Sequence, residues 1–140
     1  MTRVTRRYKF AASHRLHSGR FSENENRELY GKCNNPFGHG HDYVLDVSVT
    51  GPVDPTSGQV VNLQVLDQLV TEHILRDFDH TYLNADVQEF SNVIPTSENI
   101  IQVMQNRLQT HWQTSFTGEW PHLEKIRLRE TKRNAFELMS

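Results

Sequence analysis

The chain has 140 residues, a formal net charge of -2, 36% hydrophobic residues and a mean hydropathy of -0.66. That length suits one compact domain over residues 1–140. The charge balance, with no Lys/Arg run longer than Arg6-Arg7, argues against a nucleic-acid partner, and nothing approaches the ~20 consecutive apolar residues that would cross a bilayer. Cys33 is the only cysteine and Met1-Thr2-Arg3-Val4 lacks the apolar run of a secretory signal, so a reduced, cytoplasmic protein acting on a small molecule is expected.

Taken in order, Val4 to Leu16 alternates Tyr8, Phe10 and Ala12 on one face and suits a strand that delivers His14 inward. Residues 20–40 are polar and irregular, with a short helix possible from Glu23 to Leu29, and read as a long functional loop. Tyr43, Leu45, Val47 and Val49 alternate with polar or smaller residues through Thr50, the pattern of a half-buried antiparallel strand. The turn formers of 51–58 are expected to bring Gln59 to Leu63 back as a further short strand.

Leu66, Leu69, Val70, His73 and Ile74 recur at helical spacing and predict a helix from about Leu63 to Phe78, with Asp79-His80 at its end. A second amphipathic helix follows Pro95, with Thr96 as N-cap and Ile100, Val103, Met104, Leu108 and Trp112 as its apolar stripe. Ile126 and Leu128 then alternate with basic residues, and a turn over Thr131 to Asn134 leads into Ala135 to Met139 as a closing hairpin. The class is α+β, with both helices on one face of the sheet.

His39-Gly40-His41 sets two imidazoles at i and i+2, which an extended backbone turns to the same side. A catalytic zinc takes about three protein ligands of this kind and keeps one position open. On spacing alone the pair equally describes ordinary polar loop histidines, and His14 and His17 compete as a third ligand. Cys33 can be an inert buried thiol or, beside a cation, a thiolate base; Asp79-His80 can be a proton-transfer pair or an exposed helix end. Glu130, flanked by Arg127, Arg129 and Lys132, reads as a surface ion pair or as a carboxylate able to accept two parallel hydrogen bonds from a planar donor edge.

Four segments change the weighing: 10–16 (FAASHRL), 31–43 (GKCNNPFGHGHDY), 79–84 (DHTYLN) and 129–131 (RET), with 54–58, 61–63 and 95–99 beside them. Together they resemble the 6-pyruvoyl-tetrahydropterin synthase family over nearly the whole chain; Ala12, Asp42 and a longer Thr114–Pro121 loop are the departures. The resemblance implies a tunnelling fold, in which a four-stranded antiparallel sheet with two helices on one face closes a barrel with the sheets of two other subunits and trimers stack into a homohexamer. It implies Zn2+ on His14, His39 and His41, Cys33 as general base with Asp79 and His80 as proton-transfer partners, and Glu130, Thr96 and Ser97 holding the pterin. The implied reaction makes 6-pyruvoyl-tetrahydropterin from 7,8-dihydroneopterin triphosphate. The alternatives are a 6-carboxy-5,6,7,8-tetrahydropterin synthase of the queuosine and deazapurine route, which also releases acetaldehyde, and a non-catalytic zinc-stabilised binding module. The six-residue step from Cys33 to His39, enclosing Asn34-Asn35-Pro36, resembles the 6-pyruvoyl type.

Overall fold

A computed structural model describes residues 1–140. Its centre is an antiparallel hairpin of two long strands, β1 (Thr2–His14) and β2 (His39–Gly51), paired over their full length from Thr2↔Gly51 to His14↔His39. Between them run helix α1 (Glu23–Tyr30), opened by a Ser22/Glu25 capping box, and a 3-10 turn over Gly31–Asn34. Strand β4 (His122–Arg129) pairs with the outer side of β2, and β5 (Ala135–Met139) pairs with β4.

The sheet differs from the four antiparallel strands expected. It has five strands in the order β3-β1-β2-β4-β5, and β3 (Thr81–Tyr82) lies parallel to Ala12–Ser13. The segment 59–62 is not a strand. The amide of Asp54 donates to the Gln59 carbonyl, and the Asn62 side chain accepts from Gln64 and Val65 amides to start α2 (Leu63–Val70), so capping takes this backbone before a ladder can.

The helix predicted to Phe78 is helical throughout its span but not uniform. After α2 it widens into a π-turn (Thr71–Leu75) and resumes as α3 (Arg76–Phe78). The π-turn shifts the buried face by one residue: Ile74 and Phe78 enter the core, while His73 stays at the margin. A short α4 (Leu83–Asp86) and a 3-10 turn (Gln88–Ser91) lead to α5 (Ser97–Ser115), capped by the Thr96 hydroxyl accepting from the Asn99 amide.

Alternation puts Tyr8, Phe10 and Ala12 of β1, Tyr43, Leu45, Val47 and Val49 of β2, and Ile126 and Leu128 of β4 on one sheet face. There they form one core with Leu66, Leu69, Ile74 and Phe78 and with Ile100, Met104, Leu108 and Trp112. The opposite face is polar: Arg7 forks onto Asp46 through two hydrogen bonds of 2.9 and 3.1 Å, and the Thr5 and Ser48 hydroxyls meet at 2.7 Å. The histidines lie at the end of the apolar face where β1 and β2 leave the core.

Candidate metal centre and acid–base site

His14 and His39 are direct partners in the β1–β2 ladder and His41 lies two residues further along, so all three imidazoles stand on one face at one end of the sheet. His14 is fully buried, and its Nδ1–H donates to the Pro95 carbonyl at 2.7 Å. That bond fixes the tautomer and turns the Nε2 lone pair toward His41, whose Nε2 is 3.1 Å away. The His39 ring stands 4.9 Å from that of His41, centroid to centroid.

Cys33 arrives from the loop. Its carbonyl accepts from the Leu16 amide at 2.7 Å, and the next residue, Asn34, is buried with its side-chain amide donating to the Leu16 carbonyl. These contacts bring Sγ to 3.7 Å from His41 Nε2. The Asn35–Gly38 turn closes the loop with Gly38 at φ +80, where a Cβ would meet the His14 carbonyl oxygen at 2.6 Å, so this turn requires glycine.

The compact donor set is therefore His14, Cys33 and His41, with ligand atoms within 4.8 Å of one another, and His39 alongside. Four-coordinate ligands with bonds of about 2.0–2.3 Å are about 3.3 Å apart for a nitrogen pair and about 3.6 Å for nitrogen and sulfur. The 3.1 and 3.7 Å separations match those edges, so the cluster can hold a metal ion.

The electrostatics fit that use. Burial, ahead of smaller charge effects, holds His14 and His41 below the ordinary imidazole range, so both are neutral ligands at pH 7. Burial and then the Glu130 carboxylate push the Cys33 thiol up, so the protein's own groups leave it protonated; a thiolate here requires added positive charge. Tyr43 is pushed up too, by burial first and then by Glu130 and Cys33.

Glu130 reaches the same place from the end of β4. One oxygen lies 3.7 Å from His41 Nε2, and the other accepts from the hydroxyl of Ser97 at the start of α5. Ser97 and Glu130 thus form a polar wall beside the histidines, whereas the Thr96 hydroxyl is engaged in capping α5.

Asp79 and His80 form a pair of their own. Asp79 Oδ1 accepts from the Ala11 amide at 2.9 Å and lies 3.0 Å from His80 Nδ1. The backbone of His80 sits at φ +59, a region a non-glycine residue rarely occupies, and its amide donates to the Ala11 carbonyl at 2.6 Å. Its side chain is 82% exposed and lies outside the His14–Cys33–His41 group. An open groove of about 520 Å³ along Ala11–Ser13, Gly40–Asp42 and His80–Tyr82 runs between the pair and the sheet end.

Three contributors were not singled out from the sequence: the Pro95 carbonyl behind His14, the buried Asn34 that holds the loop, and Tyr43. Only Tyr43 had a local signal, since it follows His41 by two residues on the same face.

The family model for 6-pyruvoyl tetrahydropterin synthase matches residues 3–140. The chain is 42% identical to 6-pyruvoyl tetrahydrobiopterin synthase of Poecilia reticulata over 131 residues, 94% of this chain and 85% of that one. It is 46% identical to the Homo sapiens enzyme of the same name over 106 residues, 76% of this chain and 73% of that one. The solved structure of Caenorhabditis elegans 6-pyruvoyl tetrahydropterin synthase superposes with a TM-score of 0.87 at 38% identity, covering 99% of this chain and 95% of that one.

Proposed function

This chain belongs to the 6-pyruvoyl tetrahydropterin synthase family, and on that premise we propose that it is a lyase converting 7,8-dihydroneopterin triphosphate to 6-pyruvoyl-tetrahydropterin with elimination of triphosphate. The observation that carries this reading is the meeting of an anchored carboxylate and a thiol on one imidazole, with Glu130 and Cys33 each 3.7 Å from His41 Nε2.

His14, His39 and His41 would hold Zn2+ through their imidazole nitrogens, with His14 oriented by Pro95. Bound there, the ion supplies Lewis acidity that makes carbon-bound protons beside the substrate's side-chain hydroxyls easier to remove. Glu130 accepts two parallel hydrogen bonds from the amino-pyrimidinone edge of the pterin, its second oxygen braced by Ser97. Thr96 shapes the same wall by fixing the start of α5.

Cys33 takes the side-chain proton. His80, its tautomer set by Asp79, exchanges a second proton through Nε2. Substrate and product differ by triphosphate loss and by movement of hydrogen from the side chain to the ring, so no outside reductant enters. His80 stands outside the His14–Cys33–His41 group of its own chain, and its exposure suits delivery to a neighbouring subunit. We accordingly read residues 1–140 as one catalytic domain of a cytoplasmic homohexamer, with three sheets closing each barrel and sites shared between subunits.

The test is to incubate zinc-loaded protein with 7,8-dihydroneopterin triphosphate and identify the products by mass spectrometry. A 6-pyruvoyl product with triphosphate and no acetaldehyde is expected. A 6-carboxy product with acetaldehyde assigns the deazapurine reaction instead, and a folded, zinc-bound protein without turnover assigns a binding module.

A further inference from the structure

Tyr43 is more completely buried than any packing need of its hydroxyl explains. Its ring stacks on Phe10 directly across the ladder, with centroids 4.9 Å apart and planes 10° from parallel, and the residue is 1% exposed. The His41 and His14 rings approach it edge-on at 5.6 and 6.5 Å. The phenol oxygen is the one buried side-chain nitrogen or oxygen in the chain without a hydrogen-bond partner. Phenylalanine would make the same stack without burying an unpaired hydroxyl, so the fold itself gains nothing from this oxygen.

The surroundings say where its hydrogen bond belongs. Besides the two histidines, Glu130 and Cys33 are its ionisable neighbours, yet none of the four is within bonding distance of the phenol oxygen, and Glu130 is already engaged by Ser97. The donor therefore has no acceptor within the chain, and near it are the carboxylate that anchors the ring and the sulfur that removes the proton, with an interval between them for the substrate. In the pterin substrate, the atoms spanning that interval are the oxygen-bearing side-chain carbons.

We propose that the Tyr43 hydroxyl is a substrate-binding group that donates a hydrogen bond to a side-chain oxygen of the pterin between Glu130 and Cys33. This rests on the pterin reading of the site. The acceptor oxygen gains electron density as Cys33 takes the proton from the adjoining carbon, so a fixed donor there strengthens as the reaction proceeds. It also favours hydroxylated side chains over unsubstituted ones, because an alkyl group would leave the buried phenol unpaired.

Tyr43→Phe removes only the oxygen. In the variant, melting temperature and zinc content should equal or exceed those of the parent, and kcat should fall by about 100-fold. Binding of 7,8-dihydroneopterin, which has the hydroxylated side chain but no phosphate, should weaken by about tenfold, while 6-methyl-7,8-dihydropterin binds as before. Unchanged kcat and unchanged dihydroneopterin binding would overturn the proposal. So would a lower melting temperature with lost zinc, which would make the hydroxyl structural. If the parent binds both pterins but does not turn over, the lyase reading fails while the contrast between the two ligands still decides Tyr43; if it binds neither, both fall.

Discussion

Cys33 sits where burial and a carboxylate both favour the neutral thiol, and burial also holds His14 and His41 toward their neutral forms. With its thiol held protonated in this way, a base role for Cys33 depends on added positive charge from what the histidines hold, which separates two variants. Cys33→Ala should keep near-stoichiometric zinc and lose about 100-fold or more in turnover, whereas His39→Ala should lose zinc and activity together. Metal analysis by atomic emission beside a product assay reads both. Equal zinc loss in Cys33→Ala would make the sulfur, which already lies with His14 and His41 in the compact donor set, a ligand instead of a base. The i, i+2 histidines were legible as a same-face pair because strand geometry is local. The approach of Cys33 was not, because it depends on Leu16 and Asn34 joining residues 17 and 18 positions apart.

At the scale of elements, the clearest reading was β2, whose strict alternation reflects one face in the core and one facing polar partners. The Gln59–Leu63 strand failed because Asn62 caps α2, and β3 was invisible because two residues carry no period. The π-turn was equally silent, since the apolar spacing before it fits an unbroken helix; its effect is to place His73 flat against His111 of α5, with centroids 3.7 Å apart and planes 8° from parallel. Burial first, then His111, with a smaller push from Arg107, lowers the His73 pKa from 6.5 against the opposing pull of Glu72 and Asp77. The folded chain thus binds this proton less readily than the unfolded one, so stability is full above about pH 6.5 and declines as pH falls through that value. Melting curves between about pH 7.5 and 5.5 should show a smaller acid-side loss for His73→Gln than for the parent. Identical slopes would mean that the stack does not discriminate against the protonated ring.

The whole chain leaves both ends of its sheet open, with two residues of β3 on one side and five of β5 on the other, and it exposes Phe37, Leu29 and Met139. An edge with free backbone groups pairs readily with another chain, and a 36% hydrophobic composition favours completing the core by association. For the proposed homohexamer, light scattering after size exclusion should give six times the 16.3 kDa chain mass, and a monomer mass would overturn it. A sharper test follows from the place of His80, exposed and outside the His14–Cys33–His41 group of its own chain. Cys33→Ala and His80→Ala should each be inactive alone. If each site takes its thiol from one subunit and its imidazole from another, dissociating and reassembling an equal mixture restores both groups at about a quarter of the sites. Recovered activity near that fraction places the acid–base machinery across an interface. Mixed hexamers that stay inactive would confine Cys33 and His80 to the same chain and require the exposed His80 to swing into the cluster of its own protomer.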